Sequence, residues 1–369
     1  MRGRDFALVC LGIAAIYVPV SLFPAPDIRI FLLPWLKHIE QAGPIGAFAH
    51  PFSNYSPPYL YLLSLASLLR LPELATIKLV SLLGVFWLAW CVARFARTLD
   101  ASPLGAAERT LLLPTVILNG PVLGQCDTIW TGCCILAVTE AMKSRPWRMA
   151  IWAGAAFAFK AQAAFLAPFC IGYMIQKRAW FTVLIPPAIY VIAIAPAALA
   201  GWPILDLLTI YLRQPQFTFI GDAPNIWAVP AALGVPGPAI FPIGYFLGAV
   251  GFVFVASVRR RDFLLVALLS ALLVPFLLPK MLERFFFLAD VLSLAIAYAR
   301  KDRVSIILAA LIQTGSFLSI TAYLADWRWL NAIAFVFTGS AVILVSFALF
   351  RQREPAPRMN ANSKATGAV

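Results

Sequence analysis

Charge is scarce in this chain. Only 12% of its 369 residues are charged, about half the share found in soluble domains. Apolar residues make up 62%, and stretches of roughly 20 apolar residues, the length that crosses a bilayer, recur from end to end. This excludes an ordinary soluble domain. Apolar runs without strict alternation favour membrane helices over an outer-membrane barrel. There are two histidines, His38 and His50, and they fit no HExxH-like zinc pattern. The six cysteines (Cys10, Cys91, Cys126, Cys133, Cys134, Cys170) lie in or beside apolar segments without metal-ligand spacing, which argues against a disulfide framework or a thiolate metal centre. No G-x-G-x-x-G and no Walker lysine occur, so a soluble nucleotide-binding loop is absent. No internal repeat and no second, soluble domain are visible.

What is present is a set of basic clusters between apolar spans. The net charge of +13 would suit nucleic acid, but its distribution suits topology instead, and no nucleic-acid partner is expected. Arg2 and Arg4 precede a first span, Phe6–Phe23, read as a retained helix rather than a cleaved signal peptide. That places the N-terminus in the cytoplasm and Asp27 outside. Further spans are expected near 75–93, 108–124, 128–142, 148–160, 162–176, 179–201, 237–258, 263–278, 285–299, 304–325 and 329–350, giving about twelve crossings with both termini inside. The short spans near 148–176 read equally as one broken, kinked pair. Of the 29 basic residues, 20 then fall on the cytoplasmic side. The pattern describes an all-α, single membrane domain over 1–350. Its first extracytoplasmic loop is about 24–74, its second long outer loop about 202–236, and 351–369 reads as a disordered cytoplasmic tail.

The first loop is organised around Ala25–Leu63. After Asp27 it reads as an amphipathic interfacial helix with Ile28, Phe31, Leu32, Trp35 and Ile39 on one face. It closes on Asn54-Tyr55-Ser56-Pro57-Pro58, and Tyr59–Leu71 is too short to cross, so it reads as interfacial or re-entrant. Ionisable groups near a membrane interior cost about 2.5–3.5 kcal/mol each and mark sites by default. On this topology one side collects these and other polar groups: Asp27, Arg29 and Lys37 with both histidines; Asp127 in GQCDTIW; Lys160 and Gln162 in FAFKAQ; Arg213, Gln214, Gln216, Asp222 and Asn225 in the long loop; and Lys280, Glu283 and Arg284 in LPKMLERFFFL. Asp27, following Pro26, reads equally as a helix N-cap or as a catalytic acid. Asp127 also suits a cap, and Lys280, Glu283 and Arg284 suit a local ion-pair set at a helix start. Lys160 is different: both of its flanks are apolar, so it needs an anion. The histidines read as solvated or interfacial.

The order of these segments resembles the GT-C superfamily of polyprenyl-phosphate-sugar-dependent glycosyltransferases, nearest the dolichol-pathway glucosyltransferases and their bacterial mannosyl- and glucosyltransferase relatives. The markers are the acid after the first span, the N-Y-S-P-P segment, Gly124-Gln125-x-Asp127, Phe159-Lys160-x-Gln162 with Pro168, Asn225-x-Trp227, and Leu278 to Phe287. In the last of these, relatives carry a histidine before Glu-Arg, and Leu282 stands in its place here. The resemblance implies an inverting hexosyltransferase using a polyprenyl-phosphate-linked mannose or glucose on the extracytoplasmic face of a cytoplasmic membrane, or of the ER membrane in a eukaryote. A glycan or glycolipid would be the acceptor. Asp27 would be the general base, and Lys160, Arg213, Lys280 and Arg284 would meet the donor phosphate. Gln125, Asp127, Gln162, Asp222, Asn225, Glu283 and Tyr55 would bind sugar or acceptor. No metal or cofactor is expected, since no carboxylate pair has obvious ligand spacing. The alternative from another class is a transporter or flippase for lipid-linked sugars, which predicts ionisable groups along a midplane path and repeated halves. An envelope acyltransferase would want a catalytic histidine on a span, and neither histidine lies in one.

Overall fold

A computed structural model describes residues 3–213, 222–259 and 262–351, with side-chain surroundings from residue 11 onward. Every regular element among the described residues is helical. In chain order these are α1 (Gly3–Ser21), α2 (Leu33–Ala42), α3 (Pro57–Ser67), α4 (Glu73–Arg97), α5 (Pro103–Leu111), α6 (Pro114–Ile117), α7 (Asp127–Met142), α8 (Pro146–Phe159) and α9 (Ala167–Gln176). They continue with α10 (Ile185–Ala200), α11 (Ile204–Thr209), α12 (Ala228–Ala232), α13 (Gly237–Ser257), α14 (Phe263–Leu277), α15 (Phe287–Arg300), α16 (Arg303–Ala325) and α17 (Leu330–Arg351).

Among the described residues, five segments are long and apolar enough to cross a bilayer: Glu73–Arg97, Trp180–Ala200, Gly237–Ser257, Arg303–Ala325 and Leu330–Arg351. Several present broad apolar faces outward, such as Val191, Ile192 and Leu199 on α10 and Phe246, Val250 and Val253 on α13. Exposed apolar surface on this scale needs lipid to cover it, so the chain is a multi-pass membrane protein. The interior is built on α7, which is buried on every side from Asp127 to Ala141, with α4, α8 and α15 packed around it. On α14, Leu264 to Leu272 is likewise buried throughout.

Proline sets where the helices break. The expected single span near 108–124 is two pieces, because Pro114 forces Leu113 into extended backbone (φ −66°, ψ 122°). The amphipathic segment opens as a wide π turn over Ile28–Leu32; Pro34, lacking an N–H, withdraws the ordinary bond to the turn before it. Ile28, Leu32, Trp35 and Ile39 are buried as the periodicity implies, whereas Phe31 stays partly exposed. The segment after Leu71 is the full-length α4, and α3 before it has 11 residues, short as the sequence implies. The expected tail lies almost wholly outside the described residues.

Candidate active site

The helix ends and loops that the sequence marked converge on one cavity of about 810 Å³. Asp27 sits just after α1, on the cavity wall, and is 6% exposed. It occupies the capping position of the π turn but makes no side-chain cap bond. Its carboxylate instead holds three distant partners. Oδ1 accepts from the Tyr323 hydroxyl at 2.7 Å, and Oδ2 accepts from Gln125 Nε2 at 2.7 Å and faces Arg284 Nη2 at 3.1 Å. The cap reading of Asp27 therefore fails: the group is a tertiary acceptor joining α1, the turn before α7, α16 and the loop before α15.

Gln125 is fixed in turn. Its Oε1 accepts from the Tyr55 hydroxyl at 2.8 Å, and burial pushes that phenol up to about 12, so it stays a donor. The turn carrying Gln125 needs Gly124, whose φ is +69° and where an added Cβ would lie 3.0 Å from Ile28 Cδ1. Beneath the turn lies Lys78 of α4, whose Nζ donates to the carbonyls of Phe23 (2.9 Å), Val122 (2.8 Å) and Pro121. Ser81 Oγ adds a bond to the Gly120 carbonyl at 2.7 Å. One buried ammonium thus clamps the chain just before Asp27 to the chain just before Gln125.

Asp127 is likewise no cap. Its Oδ1 accepts from Lys160 Nζ at 2.6 Å and from Trp130 Nε1 at 2.8 Å, and its Oδ2 faces Arg284 Nε at 3.6 Å. Lys160 reaches it because the chain is extended there (φ −159°, ψ 139°), breaking α8 from the 3-10 turn before α9. This is the anion the sequence demanded. Burial penalises a lone ammonium, and the Asp127 carboxylate offsets that penalty. The same ammonium lies over the Tyr55 ring, 5.1 Å from its centroid.

Glu283 and Arg284 pair at 2.5 Å, in a loop rather than on a helix start. Burial lifts the Glu283 carboxyl above the ordinary carboxylate range, with Arg284 opposing. The loop is anchored by Asn225, whose Nδ2 donates to the carbonyls of Leu278 (2.9 Å) and Pro275 (3.3 Å). Trp227 Nε1 donates to Leu277 O at 2.7 Å. Gly244 of α13 lets the loop pack close: a Cβ there would lie 2.7 Å from Pro279 Cδ. Lys280 lines the cavity with φ +60° and its ammonium 4.3 Å from the centroid of Phe241.

Asp27, Tyr55, Gln125, Lys160, Gln162, Asp222, Lys280, Glu283 and Arg284 line the cavity. Asp127 stands behind them, paired with Lys160 and Arg284. Two of the expected residues do not join. Arg213 is exposed and paired with Asp206, and Asn225 is the buried anchor just described. Lys280, Glu283 and Arg284 form no shared ion-pair set: Arg284 pairs with Glu283, while Lys280 pairs with no carboxylate among the described residues. Gln214 and Gln216 lie outside the described residues. His38 stacks on Phe52 at 4.5 Å and His50 is exposed on the surface. Two residues escaped the sequence reading. Tyr323 carried no signal, because a tyrosine near a span end reads as interfacial belt. Lys78 did carry one, being a cation inside an apolar span.

Residues 48–176 match the family model described as alpha-(1->6)-mannopyranosyltransferase, N-terminal domain, of the MptA/B family. The chain is a glycosyltransferase. The match is to a GT-C-type mannosyltransferase family and agrees with the resemblance read from the sequence. It spans roughly a third of the glycosyltransferase chain and takes in Tyr55, Gln125, Asp127, Lys160 and Gln162, while Asp27 and Arg284 lie outside it. No curated protein matches the chain.

Proposed function

We propose that this glycosyltransferase moves a hexose of the mannose class, with inversion, from a polyprenyl-phosphate carrier to a lipid- or envelope-linked acceptor. In this reading the chain crosses a cytoplasmic membrane about twelve times, with both termini inside and the cavity open outside. The observation that carries it is the state of Asp27: a carboxylate on the cavity wall, oriented by three partners. An ionised carboxylate offers about four acceptor positions, so one remains for an acceptor hydroxyl. The carboxylate takes the hydroxyl proton as the acceptor oxygen bonds to the anomeric carbon. The bond from that carbon to the phosphate oxygen breaks, and the electron pair leaves on the lipid phosphate.

The charges divide the work. Lys160 and Arg284 already face Asp27, Asp127 and Glu283, so their first task is to orient carboxylates. Lys280 lines the cavity and, among the described residues, pairs with no carboxylate, which makes it the cation best suited to the leaving phosphate. Asp222 and Gln162, on the same wall, suit sugar or acceptor hydroxyls. Phe31, Leu32, Trp35 and Leu212 line the cavity's apolar side and suit an isoprenoid tail. No metal step enters this reading, because the Arg284 guanidinium fills the centre of the carboxylate set.

The test is transfer by the purified protein in lipid vesicles, in excess EDTA, offering radiolabelled polyprenyl-phosphate mannose or a nucleotide-linked mannose. Label should move from the lipid donor alone. Transfer only from the nucleotide sugar, or only with added divalent metal, overturns the proposal.

A further inference from the structure

The three partners of Asp27 divide unevenly between its two oxygens. Oδ2 accepts from Gln125 Nε2 at 2.7 Å and faces Arg284 Nη2 at 3.1 Å. Oδ1 accepts from the Tyr323 hydroxyl at 2.7 Å and, among the described residues, from nothing else. Each carboxylate oxygen offers about two acceptor positions, so Oδ2 is filled and Oδ1 keeps one. The Arg284 guanidinium also opposes a proton arriving on Oδ2. Tyr323 itself is firmly placed. It lies in the last turn of α16 and on the cavity wall, with its ring against the apolar cluster that includes Ile28 and Leu32. One turn earlier, the fully buried Ser319 sits with its Oγ 3.0 Å from Asn331 Oδ1 of α17 and 3.3 Å from the carbonyl of the cavity-wall residue Asp222. Helix α16 thus reaches the cavity held on both sides of the phenol.

We propose that Tyr323 is a positioning residue that makes Asp27 Oδ1 the oxygen that takes the proton. The proposal rests on the reading of Asp27 as the base. In that step the acceptor O–H bond breaks and its proton passes to the open position on Oδ1, as the acceptor oxygen bonds to the anomeric carbon. The bond from that carbon to the phosphate oxygen breaks, and its electron pair leaves on the phosphate. The phenol fills one position on Oδ1 and leaves a single one for the acceptor hydroxyl. Without it both positions stand open and the carboxylate is tied by Oδ2 alone. The group then turns about its Cβ–Cγ bond and meets the hydroxyl in fewer productive poses. Helix α16 therefore carries part of the reaction geometry, far outside the matched residues 48–176.

A double-variant cycle tests it, on transfer from radiolabelled polyprenyl-phosphate mannose by the purified full-length protein in lipid vesicles. Tyr323→Phe removes the hydroxyl alone and should lower kcat about 10-fold or more, with the donor KM little changed. On the Asp27→Asn background the same change should cost less than about 2-fold, because the amide takes no proton and its aim no longer sets the rate. A tyrosine that only braced α16 would cost the same factor on both backgrounds, and that result overturns the proposal. So does a folded Tyr323→Phe protein with wild-type kcat, or one whose loss lies in donor KM, which assigns the phenol to donor binding. If Asp27→Asn is too slow for the cycle, the split between kcat and KM decides. Wild-type transfer by Asp27→Asn brings down the base reading and this inference together. A fall in Asp27→Asn with none in Tyr323→Phe brings down this inference alone.

Discussion

The ion pair between Lys160 and Asp127 offers the sharpest perturbation of the site. Its atoms are 2.6 Å apart and both side chains are about 5% exposed. Replacing Lys160 with Met keeps the bulk and removes the charge, leaving Asp127 buried with a reduced set of partners. Breaking a buried pair from one side costs about 3–5 kcal/mol. Trp130 still donates to the same oxygen and Arg284 stays 3.6 Å from the other, so the lower end, about 3 kcal/mol, is expected. Asp127→Asn should cost a comparable amount, because Lys160 then lacks its nearest anion. The double variant should be less destabilised than the sum, by about 1–3 kcal/mol of coupling. The protein supplies its own reporter: Cys91, Cys126, Cys133, Cys134 and Cys170 are free and buried, so a maleimide dye reads their exposure on heating. Strictly additive losses in the double variant, or a Lys160→Met protein that melts like wild type, would refute the reasoning.

Lys78→Met removes the clamp under the Gln125 turn. It should lower kcat with little change in KM, with Lys78→Arg restoring part of the loss, and unchanged kcat in the folded Met variant would show that the clamp does not position Asp27. Glu283 predicts a pH effect. A carboxyl whose pKa is raised in the folded chain favours the fold at low pH, and that contribution is lost as pH rises through the raised value. Glu283→Gln carries no such charge, so its unfolding midpoint should gain on wild type as pH is raised above the ordinary carboxylate range; curves that stay parallel would contradict this.

Much of this was legible in the sequence, for physical reasons. Apolar run length marked the five membrane-length segments found among the described residues, though not all of the twelve crossings expected, and α3 was recognised as short because its proline-flanked segment is too short to span a bilayer. The cavity could be anticipated because charge is expensive in this chain, so Asp27, Lys160, Glu283 and Arg284 stood out against oily flanks. Their partnerships were not legible. Asp27 and Tyr323 meet across almost the whole chain, and no local pattern encodes such a contact. The cap readings of Asp27 and Asp127 followed local rules that tertiary partners overrode. Arg213 matched the others in type, but its nearest acid, Asp206, lies on the adjoining turn and holds it at the surface. The breaks at Leu113 and Lys160 show the same limit. Proline announces the first, and only the Asp127 carboxylate across the site accounts for the second.

The central claim is that Asp27 is the base. Asp27→Asn preserves size and keeps an acceptor oxygen for Tyr323, while removing the proton-accepting charge. Transfer from radiolabelled polyprenyl-phosphate mannose should fall about 10²–10⁴-fold, with the variant expressed and monodisperse like wild type. Transfer at the wild-type rate by the folded variant would contradict it.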